Sequence, residues 1–169
     1  MNNEKIIDIG TQIVSELLNF PTPELYIIEE LKLLNKEITA IYSFKNNEII
    51  FNEDWINRSE WIEVLITVFH EMRHAYQGYC VRTKTRESAE TLKLWEYEIN
   101  GYTMPSGKNN EIDDQRYLSQ EIEIDAIAFA HWLVKKELDL KTIIPEVIKE
   151  KVLERNLIFM NTYFSKTNE

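Results

Sequence analysis

With 169 residues the chain is long enough for one sizeable core, so a single domain over residues 1–169 is expected. Acidic side chains number 29 against 19 basic ones, and the formal net charge of −10 argues against a nucleic-acid phosphate partner. No apolar run reaches the roughly 18 residues of a membrane span, and one cysteine excludes an internal disulfide framework. The start MNNEKIIDIG has neither the basic nor the apolar part of a secretory signal, so a cytoplasmic protein without a membrane partner is expected.

The first helical pattern covers residues 4–19 and stops before Pro21 and Pro23. A second is expected over 24–34. Residues 37–44 and 48–52 read as strands, joined by a turn at Lys45-Asn46-Asn47. Residues 59–77 form the clearest helix pattern. Trp61, Val64, Leu65, Val68, Phe69, Met72, Ala75 and Tyr76 share one broad apolar face, and Asn57 with Glu60, or Ser59, is a candidate cap. Residues 100–116 are the one long loop expected. Residues 117–136 form another strong helix pattern, and a last helix is expected over 146–159.

The pentad His70-Glu71-Met72-Arg73-His74 reads H-E-x-x-H. On a helix, histidines four residues apart lie about one turn apart on one face, and both imidazoles can reach one zinc ion. Glu71 then falls beside the ion, where it can act as a base toward a water. Both histidines lie opposite the apolar face, toward either a cleft or solvent; periodicity does not separate the two. For a third ligand the following helix offers Glu123, which falls inside an apolar arc of Ile122, Ala126, Ile127, Phe129, Ala130, Leu133 and Val134. A carboxylate among core positions needs a partner, and a metal is a natural one. Alternatively, Glu123 lies wet in a frayed first turn. Glu121 and Asp125 are placed on the opposite side, and Cys80 reads most simply as a small buried residue.

The pentad followed by a second helix bearing a glutamate resembles the zincin metallopeptidases with a glutamate third ligand, the gluzincins. More narrowly, Glu123-x-x-Ala126-x-x-Phe129-Ala130 resembles the signature of the small ImmA/IrrE-type peptidases, in which that glutamate binds zinc. The resemblance covers roughly residues 38–134. Two positions depart from it: Arg73 stands where a small residue is usual, and Ile127 where an acidic or amide residue often follows the alanine. The resemblance implies a mostly helical α+β domain with a short hairpin on the active-site helix. It also implies Zn²⁺ on His70, His74 and Glu123, Glu71 as general base, and a peptide or protein substrate that joins an exposed strand edge. Two other ligand sets remain open. Gln120-Glu121-x-x-x-Asp125 imitates the thermolysin-like pattern in which the glutamate binds zinc and the aspartate orients a histidine. Cys80 stands where metzincins carry a third histidine, although Gln77 replaces their turn-forming glycine. Tyr102 and Tyr117 are candidates, by sequence proximity alone, for stabilising an oxyanion. The other functional classes are a catalytically silent zincin-fold binding or regulatory module, and a purely structural helical protein with exposed histidines.

Overall fold

The computed structural model describes residues 2–29, 38–106 and 110–164. The fold is α+β and mostly helical, with one small mixed sheet. Helix α1 (Asn3–Leu18) is capped by Asn2, whose side chain accepts from the Glu4 N–H. It closes at Asn19 in the left-handed conformation. Its buried residues Ile6, Ile7, Gly10, Val14 and Leu18 recur at helical spacing.

The helix expected from residue 24 does not form over Glu24–Ile28. Strand β1 (Glu24–Ile28) stands there instead, while residues 30–34 lie outside the described residues. The run Tyr26-Ile27-Ile28 is aromatic and β-branched, and a neighbour is available to satisfy its backbone, so pairing overrides the helical pattern. That neighbour is β3 (Glu48–Asn52), which pairs with β1 in parallel from Glu24↔Glu48 to Ile28↔Asn52. On its other side β3 pairs antiparallel with β2 (Ala40–Ser43), giving the order β1-β3-β2. The β2–β3 turn falls where expected, with Asn47 at φ 58° donating its N–H to Ser43 O.

Helix α2 (Glu53–Arg58), capped by Asn52, had no counterpart in the sequence pattern. Helix α3 (Trp61–Thr83) runs six residues beyond the expected end at residue 77. Neither Asn57 nor Ser59 caps it: Ser59 closes α2, and Glu60 takes the cap position, donating its N–H to the Glu63 carboxylate. Helix α4 (Ala89–Asn100) was also unforeseen. The expected helix over 117–136 is broken in two: a single turn, α5 (Gln115–Leu118), and α6 (Glu121–Leu138), with Ser119 and Gln120 between them. After a 3-10 turn at Glu146–Ile148, α7 (Lys149–Phe164) is the last element among the described residues.

Helix α3 is the axis of the molecule. It packs against α1, α4, α6 and the sheet, while α6 in turn carries α7. Among the described residues, no helix is long and apolar enough to cross a membrane. Helices α1 and α3 meet closely at Gly10, where an added Cβ would lie 2.9 Å from Val68 Cγ1 and 3.0 Å from Leu65 Cδ1. Gly10→Val therefore overpacks this crossing and should cost about 1–3 kcal/mol in urea unfolding. An unchanged midpoint would show that α1 shifts freely on α3.

Candidate metal centre

From Glu71 to Gly78 every residue of α3 is buried. The helix is enclosed there because α6 and strand β2 cover the side that the sequence pattern left open. His70 and His74 thus face a cleft, not solvent; His74 is 4% exposed and His70 half-buried.

Glu123 comes from the first turn of α6 and is fully buried. That turn is dry because two side chains close it. Glu98 of α4 caps the helix, its carboxylate accepting from the N–H groups of Glu121 and Ile122 at 3.0 and 2.8 Å. Gln120 accepts from the Thr103 N–H and donates to Thr103 O, which holds the chain beside the helix start. Tyr102 is thereby laid over the carboxylate and donates its hydroxyl to Glu123 Oε1. Burial and the Glu123 charge push both the Tyr102 and Tyr117 hydroxyls well above their ordinary range, so both remain protonated donors.

Three side chains converge. His74 Nε2 lies 3.1 Å from Glu123 Oε1, His70 Nε2 lies 3.4 Å from Glu123 Oε2, and the two Nε2 atoms are 3.1 Å apart. Ligands at the zinc bond lengths of a tetrahedral site sit about 3.3–3.4 Å from one another, so this spacing suits such an ion. Protonation states point the same way. Gln77 Nε2 donates to Ile122 O and to Asp125 Oδ2, which leaves Gln77 Oε1 facing His74 Nδ1 at 2.8 Å. A carboxamide oxygen only accepts, so Nδ1 carries the proton. In the neutral ring Nε2 is then a bare lone pair aimed at the His70 nitrogen and at Glu123. Lone pairs facing lone pairs in a buried pocket need either a shared proton or a cation. Burial pulls the His74 imidazole down, but the Glu123 charge and hydrogen bond prevail and raise it to about 9. Glu123 Oε2 has no hydrogen-bond partner although it is buried. The donor set fits a divalent zinc-like ion, and His70, His74 and Glu123 are the residues that could hold one.

Two carboxylates share the cleft with opposite tendencies. Burial raises the Glu71 carboxyl above its usual range, outweighing the neighbouring histidines and a hydrogen bond from the Tyr42 backbone. Burial also acts on Glu123, but the two histidines overcome it and hold that carboxyl well below the usual range. One group is therefore suited to exchange a proton and the other to remain an anion. Glu71 Oε2 is buried without a hydrogen-bond partner.

Among the described residues, hollows of about 370 and about 110 Å³ open on the cleft and share His70 and Glu71. The larger runs between Thr67 of α3 and Ile127 and His131 of α6; the smaller is bounded by Phe44, Tyr102 and Met104. Strand β2 borders both. Asn52 N bonds to Thr39 O, so in antiparallel alternation Ala40 and Tyr42 turn their N–H and C=O groups away from β3. His131 is not part of the converging trio. It pairs through Nδ1 with the Thr142 hydroxyl, and burial pushes it down to about 4, which keeps it neutral.

The rival ligand sets do not converge here. Glu121 turns outward to Lys151 and Arg155. Cys80 is buried within the unbroken α3, and no turn brings it back toward the histidines. Asp125, expected on the side of α6 opposite its apolar face, is instead 1% exposed, because α7 covers that side. Its carboxylate holds Arg73, with Nε donating at 2.7 Å and Nη2 at 3.2 Å. Gln77 and Glu98 serve the site without carrying a sequence signal for it, apart from the position of Gln77, three residues beyond His74 on the same helix face.

Comparison of the chain with protein-family models, with curated proteins and with solved structures gave no match.

Arg73 is 2% exposed, and removing it leaves Asp125 with a buried charge only partly met by Arg155 and Gln77. Arg73→Met should therefore lower stability at neutral pH by about 3–5 kcal/mol in urea unfolding. A loss below about 1 kcal/mol would mean that the two remaining donors compensate the carboxylate by themselves.

Proposed function

We propose that this protein is a zinc-dependent peptidase in which His70, His74 and Glu123 hold the metal and Glu71 is the general base. The observation that carries the reading is the convergence of three buried or half-buried ligand atoms at 3.1–3.4 Å. Beside them Glu71 keeps a buried oxygen without a hydrogen-bond partner. The order along the chain, hairpin, H-E-x-x-H helix and then a helix with an inward glutamate, supports the same reading through its resemblance to gluzincins.

A zinc ion held there would polarise the scissile carbonyl and lower the pKa of a water from about 15.7 towards 7. Glu71 takes the proton from the attacking water on its free oxygen and delivers it to the leaving amine nitrogen. Its raised pKa suits it to hold that proton between the two steps. Glu123 stays ionised throughout, and the Tyr102 hydroxyl holds its carboxylate in place. The outward backbone groups of Ala40 give an extended peptide a strand edge to pair with beside Glu71. The substrate class this reading implies is a peptide or protein, and the net charge of −10 favours a basic or neutral one.

Metal content is the first test. Tag-free protein loaded with zinc should retain about one equivalent by mass spectrometry; less than about a tenth of an equivalent would remove the metal from the mechanism. Glu123→Ala should weaken zinc binding far more than Glu121→Ala, and the reverse order would restore the thermolysin-like pairing.

Chemistry is tested at Glu71. Glu71→Gln keeps side-chain shape and should keep zinc, while hydrolysis of an unbiased peptide library falls by at least about 10²–10⁴-fold. Loss of zinc in this variant would make Glu71 a ligand. A zinc-loaded wild type that cleaves nothing in the library would favour the catalytically silent binding module.

A further inference from the structure

We propose that Gln77 and Asp125 are positioning residues of the metal centre. Asp125 decides which way round the Gln77 carboxamide points, and the carboxamide oxygen holds a His74 proton on Nδ1, which makes Nε2 the nitrogen that would bind the ion. The inference rests on the zinc reading above and adds how the protein enforces it.

The ionised Asp125 carboxylate can only accept. Its Oδ2 takes Arg73 Nε and Gln77 Nε2, at 2.7 and 2.9 Å; its Oδ1 takes Arg73 Nη2 and Arg155 Nη1, at 3.2 and 3.3 Å. Arg73 cannot swing away, because its guanidinium carbon lies 4.7–5.8 Å from the ring centroids of Tyr76, Trp95, Phe129 and Phe159. The carboxylate is thus held from two sides. Gln77 itself is fully buried, and its other neighbour, Ile122 O, is also an acceptor. Two acceptors on one end of the carboxamide admit only the NH₂ group there. The oxygen must therefore face His74 Nδ1. No corresponding hydrogen bond holds His70 Nδ1 among the described residues, so the relay acts on one ligand only.

A glutamate at position 77 would also accept from Nδ1. It would, however, set a second buried carboxylate against Asp125 and Ile122 O, at separations now bridged by N–H groups. The amide transmits orientation from the Arg73–Asp125 pair to His74 without adding a charge beside the metal.

This separates two roles that a purely structural glutamine would combine. Zinc affinity should follow the acceptor that faces His74, whereas stability should follow the donors that face Asp125 and Ile122. The experiment uses the full chain carrying Gln77→Met, Gln77→Glu or Asp125→Asn. Zinc dissociation constants come from chelator competition, and stability from urea unfolding of the metal-free protein. Both Gln77 variants should be less stable than wild type. Gln77→Met should bind zinc about 10- to 100-fold more weakly, while Gln77→Glu keeps wild-type affinity or exceeds it. Asp125→Asn, which can offer Gln77 either an oxygen or a nitrogen, should weaken zinc by a smaller factor than Gln77→Met. Wild-type zinc affinity in Gln77→Met overturns the relay, and so do equal zinc losses in the Met and Glu variants. A wild-type protein that binds no zinc overturns the metal reading itself, an outcome distinct from either of these.

Discussion

The ion pair between Arg73 and Asp125 joins the two helices on which everything else in the site depends. Arg73 lies between the two histidines of α3, and Asp125 lies two residues after Glu123 on α6, so the pair fixes the register of one helix against the other. Burying two charges is costly, and a buried pair is favourable only when its geometry is good and its remaining groups are satisfied. Here the fork-to-carboxylate contact is bidentate, Arg155 and Gln77 fill the other acceptor positions, and four aromatic rings surround the guanidinium. One Arg73 nitrogen, Nη1, still lacks a partner. Burial and pairing oppose one another at Asp125, and pairing prevails: its carboxyl lies below the usual range.

This register brings polar groups together that would otherwise repel. The centre collects two imidazoles and a carboxylate with their acceptor atoms facing inward, next to a second carboxylate of opposite protonation tendency. A core built for stability alone would replace such a cluster with apolar residues of similar volume. The surrounding structure preserves it by design of its supports. Glu98 from α4 caps α6, Gln120 fastens the Tyr102 strand of chain, and Tyr102 occupies one Glu123 oxygen. Each support comes from a different element, so the site exists only once the helices have docked.

Features that depend on local spacing were legible from the residues alone. The H-E-x-x-H pentad placed His70 and His74 one turn apart because helical periodicity leaves no other arrangement, and the short β-branched and aromatic run of 48–52 beside a turn marked β3. Glu123 stood out because a charged residue interrupted an apolar arc. What the sequence misjudged depended on neighbours that periodicity cannot see. Residues 24–28 carry a pattern compatible with a helix, and only the free edge of β3 turned them into a strand. Asp125 was assigned to water because a helix wheel allows one buried face, whereas α6 is covered by α3 on one side and α7 on the other. The break at Ser119 and Gln120 went unread because the helical pattern continues across it, while the tertiary structure spends Gln120 on Thr103. Whether the histidines meet a cleft or solvent, and which atom of Gln77 meets His74, was decided only by packing: orientation within a buried polar network is set by which acceptors lie on its far side, and those belong to residues some 45 to 48 positions away along the chain.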